Sequence, residues 1–254
     1  MYLIHKDATV KGEAIVSTWR GLLKKDFQLA LPWVLGGFAL ILMADLWAVW
    51  MTSKASGRFG LSLMPILAHI LYLPIYLMIS LWLEGKQMHQ WLHNPHGMWK
   101  LLLSKLVLGI PLMLLSLIIS GIYPVYLLVS LDLDINLLEK QLNLVTIGQF
   151  LLSTVWFSLD LALWGLILWS IFHWLRPFFG KWSWVVLSVV GLAFLYLSAQ
   201  WALSPTYETL TQWGAIVTLP DNLTMYMGEL LHDLLLGTSF FFLSVWILER
   251  KLEV

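Results

Sequence analysis

Three histidines, His89, His93 and His96, crowd into the segment Glu84-Gly-Lys-Gln-Met-His-Gln-Trp-Leu-His-Asn-Pro-His-Gly-Met-Trp-Lys100. Two histidines four residues apart on a helix share a face, which is the spacing of a Zn²⁺ clasp. Three features argue against a metal site: the chain has no cysteine, Glu84 is the segment's sole carboxylate, and Pro95 stops the helix before His96 can join the pair. The same residues form the polar side of a short amphipathic helix whose apolar side carries Met88, Trp91 and Leu92. A helix of this kind either enters a groove on a protein partner or lies on lipid headgroups.

Other candidates for chemistry are isolated. Asp160, in Ser158-Leu-Asp-Leu161, falls near the centre of a long apolar run, where insertion of a charge costs about 2.5–3.5 kcal/mol. It therefore requires a partner, a water-filled cavity or a proton, and reads equally as a residue of a substrate path or as a hydrogen-bonded structural carboxyl. His69 reads as a hydrogen-bonded interior residue, and Asp45 lies close enough to a span end to reach the interface. Gly237-Thr-Ser239 has Phe240 where an intramembrane serine protease would want glycine, and no H-E-x-x-H occurs. Asn222-Leu-Thr224 matches a glycosylation sequon, a pattern short enough to arise by chance.

The elements that must position these residues are membrane spans. Of 254 residues, 59% are hydrophobic and 12% charged, against roughly 25% charged in a soluble domain. Mean hydropathy is +0.79. Net charge is zero, which leaves no basic footprint for nucleic acid. Runs of about 20 apolar residues place spans near 29–51, 61–83, 101–129, 147–174, 184–203 and 234–248 of a single membrane domain covering 1–254. The expected class is an all-α polytopic membrane protein with six transmembrane helices. Pro111 and Pro124 offer kinks in the long third run. The first 28 residues lack the apolar core and cleavage site of a secretory signal. Ile15, Val16, Trp19, Leu22, Leu23, Phe27 and Ala30 recur there at helical spacing opposite Arg20, Lys24, Lys25 and Gln28, as in an interfacial amphipathic helix. Trp33, Trp50, Trp82, Trp182 and Trp201 sit near span ends, as interface residues do.

Orientation follows from the basic residues. With the N terminus inside, twelve of the 15 Lys and Arg fall on the inner side, and only Lys54, Arg58 and Lys140 fall outside. Both termini and the 84–100 segment are then expected in the cytoplasm of a multi-pass cell-membrane protein. Residues 204–233 form a long outer loop, in which Trp213–Pro220 and Met225–Leu231 are semi-apolar, too short to span, and candidates for re-entrant helices.

The amphipathic N terminus, six spans, the EGKQMHQWLHNPHGMWKLLLSKL segment and the closing FFLSVWILERKLEV together resemble the permease subunit of an ABC-2-type ABC transporter of Gram-positive bacteria. The resemblance runs along essentially the whole chain, with Trp91-Leu-His-Asn-Pro95 and Glu249-Arg-Lys-Leu-Glu-Val254 its most motif-like parts. It implies a dimeric module, made with a second copy or a related permease, in a lipid bilayer. It also implies that the loop between spans 2 and 3 is a coupling helix, with Lys86, Met88, His89, Trp91, Leu92, His93 and Pro95 seated on a separate ATPase subunit present in two copies. The chain contains no G-x-x-x-x-G-K-[ST] loop. ATP and Mg²⁺ are accordingly expected on the partner, with no cofactor and no catalytic residue in this chain. The cargo implied is amphipathic: a peptide, an antibiotic or a lipid-like molecule. A reading from another class is a non-transporting immunity or sensor subunit that uses the same loop only to bind a cytoplasmic partner.

Overall fold

The computed structural model describes residues 2–85, 97–130, 144–218 and 224–251, with side chains from Trp19 onward apart from a few at segment edges. Apolar helices account for nearly all of it, because a chain in hydrocarbon must satisfy its backbone N–H and C=O groups internally. Five segments are long and apolar enough to cross a membrane: Trp19–Met51, Gly57–Gly85, Met98–Leu127, Phe150–Ala202 and Met227–Arg250. The chain packs as two compact units, 1–162 and 163–254, divided within one helix.

In the first unit, α1 runs unbroken over Tyr2–Met51. The expected interfacial helix over 1–28 is continuous with the first span, and the segment long and apolar enough to cross a membrane covers Trp19–Met51. Its buried side is the stripe Leu22, Asp26, Ala30 and Val34, one residue per turn, while Phe27 is exposed. The expected second span is divided into α2 (Ala55–Ser62), α3 (Met64–Ala68), a 3₁₀ turn (His69–Leu71) and α4 (Tyr72–Gly85). Pro65 sits in the first turn of α3, where its missing N–H costs nothing. At the 3₁₀ turn the His69 N–H reaches back to Ile66 and Leu67. The imidazole Nδ1 lies 2.6 Å from the Pro65 carbonyl oxygen and supplies it a donor. α5 (Met98–Ser130) contains both Pro111 and Pro124. α1, α4 and α5 meet through a core of Ala30, Val34, Tyr76 and Leu112. Gly109 of α5 permits the closest approach, since a Cβ there would lie 2.8 Å from the Tyr76 ring.

The second unit begins within α6 (Leu144–Phe179). A left-handed Gly180 (φ 52°) and a 3₁₀ turn, Gly180–Trp182, lead to α7 (Ser183–Ala202). At 1.5 Å per residue an unbroken 53-residue helix would be about 80 Å long, far beyond a hydrocarbon core of about 30 Å. The contacts show the fold-back: Phe172 meets Trp184, Leu168 meets Gly191, and Trp164 meets Phe194, an antiparallel order. α8 (Pro205–Thr211) is capped by Ser204, whose hydroxyl accepts from the Tyr207 N–H. An antiparallel pair, β1 (Ala215–Thr218) and β2 (Thr224–Tyr226), precedes α9 (Met227–Lys251). This replaces the two expected re-entrant elements: 215–218 is a strand, and 227–231 is the first turn of the last helix. Gly228 lets the helix start press on the end of α8, for a Cβ there would lie 2.3 Å from the Thr211 carbonyl oxygen. Ile167, Phe240 and Ile247 form the unit's core with Trp164, Trp174 and Leu236 around them.

Candidate functional site

The first unit buries a cluster of charges at one end of its three-helix junction. α1 contributes Lys25 and Asp26, α4 contributes Glu84 in its last turn, and α5 contributes Ser104 and Lys105. Lys105 and Ser104 are fully buried and Asp26 is 2% exposed, so none of the three can exchange its partners for water. The Lys105 ammonium lies 3.1 Å from Asp26 Oδ1 and 2.9 Å from Glu84 Oε2. The second contact lies outside hydrogen-bond direction and acts as charge attraction. Lys25 Nζ donates to Glu84 Oε1 at 2.6 Å and stands 3.8 Å from Asp26 Oδ1. Ser104 Oγ donates to Asp26 Oδ2 at 2.6 Å, and thereby fills the second carboxylate oxygen. Two ammonium groups face two carboxylates, so the cluster is neutral, and each member is expensive only if a neighbour is lost.

The location of this cluster relates it to the histidine-rich segment. Glu84 stands just before residues 86–96, and Lys105 follows within the second turn of the helix that resumes at Met98. Lys86, Met88, His89, Trp91, Leu92, His93 and Pro95 themselves lie outside the described residues. The cluster therefore clamps both chain ends of that segment to α1. Sequence reading treated Lys25 and Lys105 only as basic charge near a membrane face and gave Asp26 no role. The available signal was Lys105 itself, a lysine between Leu-Leu-Leu-Ser and Leu-Val-Leu, which must find a carboxylate.

Above the cluster, a cavity of about 920 Å³ opens between α1 and the α3–α4 segment. Its walls are apolar apart from Tyr72, Tyr76, His69 and Ser116, and the Tyr76 hydroxyl is buried without a hydrogen-bond partner among the described residues. The His69 ring has both nitrogens engaged: Nδ1 with Pro65 and Nε2 with Ser116 Oγ at 3.0 Å. The Nδ1–H tautomer satisfies both, with Ser116 donating to Nε2. This bears out the reading of His69 as a bonded interior residue. Asp160 is half-buried on α6, outside the charge cluster. Two residues before it, Ser158 Oγ accepts the Leu73 N–H at 3.1 Å, beside the break in the second span. Among the described residues, no group of three His, Asp or Glu side chains is placed to hold a metal.

In the second unit, Trp213 donates to the Leu210 carbonyl, and Tyr207 stands edge-on to His232, whose Nδ1 is 3.1 Å from Asp233 Oδ1. Burial first, then the charges of Asp233 and Glu229, raise the Tyr207 hydroxyl above its ordinary value.

With this geometry in place, the chain is 26% identical over 241 residues to the uncharacterized protein YhcE of Bacillus subtilis (strain 168), covering 93% of this chain and 87% of that protein. No family model matches the chain, and no solved structure matches it.

Proposed function

We propose that this multi-pass membrane protein is the membrane-spanning permease subunit of an ATP-driven ABC-2-type exporter. In this reading, residues 86–96 form the coupling helix on a separate ATPase, which carries ATP and Mg²⁺. The observation that carries the proposal is the charge cluster beneath that segment. A loop that receives a mechanical stroke must be rigidly joined to the helices it moves. Here Glu84 and Lys105, on either side of the loop, are each paired with a residue of α1, Glu84 with Lys25 and Lys105 with Asp26. A displacement of the loop would then move α1, α4 and α5 together as a rigid body.

The antiparallel packing of α6 on α7 supports counting the Phe150–Ala202 segment as two crossings, six in all. An even number places both termini on one side of the cell membrane, and the bias of basic residues favours the cytoplasm. A second permease copy or relative would complete the path, and the largely uncharged interior suits an amphipathic cargo. Asp160 on α6 is the candidate for lining that path.

The test is the double change Trp91→Ala, Leu92→Ala. Truncating a buried tryptophan anchor costs more than about 2 kcal/mol, so ATPase binding weakens at least about tenfold. The ATPase is then released from detergent-purified complex while expression and topology persist. An intact, ATP-hydrolysing complex carrying both changes overturns the coupling assignment.

A further inference from the structure

The groove beside α1 has a shape, a depth and a charged end that together specify a ligand. Its α1 wall is a broad apolar face centred on a stripe at helical spacing, Trp33, Gly37, Leu40 and Ala44, with Val34, Ile41 and Met43 on its flanks. A separate pocket of only about 20 Å³, bounded by Leu29, Ser80 and Leu83, shares Trp33, Tyr76 and Ile79 with the main cavity and lies on the side of the charge cluster. From Trp33 to Ala44 the groove is about 16 Å long at 1.5 Å per residue, close to the roughly 15 Å of hydrocarbon in one leaflet. One turn beyond Leu29 on the same stripe stands Lys25, 43% exposed and the one accessible ammonium of the cluster. Lys24 and Arg20 are exposed beside it on α1.

The chemistry of the occupant follows from these walls. His69 and Ser116 satisfy each other, the tyrosine hydroxyls of Tyr72 and Tyr76 are the other polar groups, and no carboxylate, lysine or arginine lines the cavity, so a charged or peptide-like ligand would lose most of its hydration uncompensated. The groove lies within segments apolar enough to span a membrane. An elongated hydrocarbon chain satisfies the long apolar part, and an anion satisfies the basic end, because Lys25 has three donors and only two carboxylate neighbours. We propose that this groove holds an acyl chain of an anionic membrane phospholipid whose phosphate rests on Lys25 and Lys24. The site is independent of the exporter reading, since it requires no ATPase and no transport.

The experiment uses full-length protein in nanodiscs of phosphatidylcholine containing a minor fraction of phosphatidylglycerol with a diazirine in its acyl chain. Photolysis followed by peptide mapping should place the label on residues 33–44 and 64–79. Gly37→Trp fills the groove, since a Cβ at Gly37 meets nothing within 4 Å, and should remove at least nine-tenths of that label. Lys24→Gln, at an exposed position that cannot unfold the protein, should lower labelling about fivefold, with a like fall for Lys25→Gln. Diazirine-bearing phosphatidylcholine at the same fraction should label these peptides several-fold less. Label scattered equally over the exposed face of α7, around Leu192 and Leu195, overturns the proposal. So does undiminished labelling in the Gly37→Trp variant, and so does equal labelling by the two headgroups.

Discussion

Replacing Lys105 by methionine keeps the length of the side chain and removes its charge. Asp26 and Glu84 then lose an ammonium at 3.1 and 2.9 Å, and the cluster carries one uncompensated negative charge in a site closed to water. Lys25 remains 2.6 Å from Glu84 but 3.8 Å from Asp26, so it cannot fully replace the lost partner of the more deeply buried carboxylate. Breaking a buried pair from one side costs about 3–5 kcal/mol. For a chain of this size that corresponds to a fall in Tm of about 6–20 °C, at 2–4 °C per kcal/mol. Sixteen tryptophans make intrinsic fluorescence a direct readout in detergent. Adding Glu84→Gln to Lys105→Met restores neutrality, with Lys25 and Asp26 left facing each other. The double variant is therefore expected to be more stable than the sum of the single changes implies, by about 0.5–3 kcal/mol. A Lys105→Met protein that melts within about 1 °C of the parent, or strictly additive single changes, would refute the claim that these groups act as one buried unit.

Other outcomes follow from particular contacts. Lys25→Met, at a half-exposed position where water can take its place beside Glu84, should lower Tm by less than Lys105→Met does. Gly109→Ala should lower Tm by several degrees because its Cβ meets the Tyr76 ring at 2.8 Å, whereas Gly121→Ala, with nothing within 4 Å, should not. Gly228→Ala drives a methyl group into the Thr211 carbonyl at 2.3 Å and should open the 205–226 module to limited proteolysis while the remaining helices stay resistant. Cysteines placed at 94 and 254 should resist an impermeant thiol reagent in intact cells while one at 134 reacts. Labelling at 94 would reverse the orientation.

Length and polarity made the spans legible, because a run of apolar residues at membrane length admits few folds. Trp50, Trp82 and Trp201 are exposed near the ends of apolar segments, as the interface reading expects, whereas Trp33 lies near the middle of the Trp19–Met51 segment. What escaped was non-local or conformational. Asp26 looks like one more polar residue of an amphipathic helix, and its role emerges only when Lys105, 79 residues away, is brought against it. The break at His69 lies inside a long, mostly apolar run whose local cues are Pro65 and Pro74, the latter in the first turn of α4 with no N–H to give the Ile70 carbonyl. Residues 215–218, Ala-Ile-Val-Thr, carry the β-branched run of a strand and are followed by the turn-forming Leu-Pro-Asp-Asn, yet their apolar character equally suits a re-entrant element.

The neutrality of the buried cluster also bears on how the protein is made. Chain growth delivers Asp26 first, Glu84 next and Lys105 last, so Glu84 can meet Lys25 at once while Asp26 lacks its 3.1 Å ammonium until the third span arrives. The first two spans are therefore expected to stay beside the insertion machinery until Lys105 can reach Asp26. A nascent chain truncated after Gly85 should be recognised as unfinished by membrane quality control, and one extended just past Lys105 should escape it. A cluster that holds three finished helices together would thereby also act, during synthesis, as the checkpoint that reports their assembly.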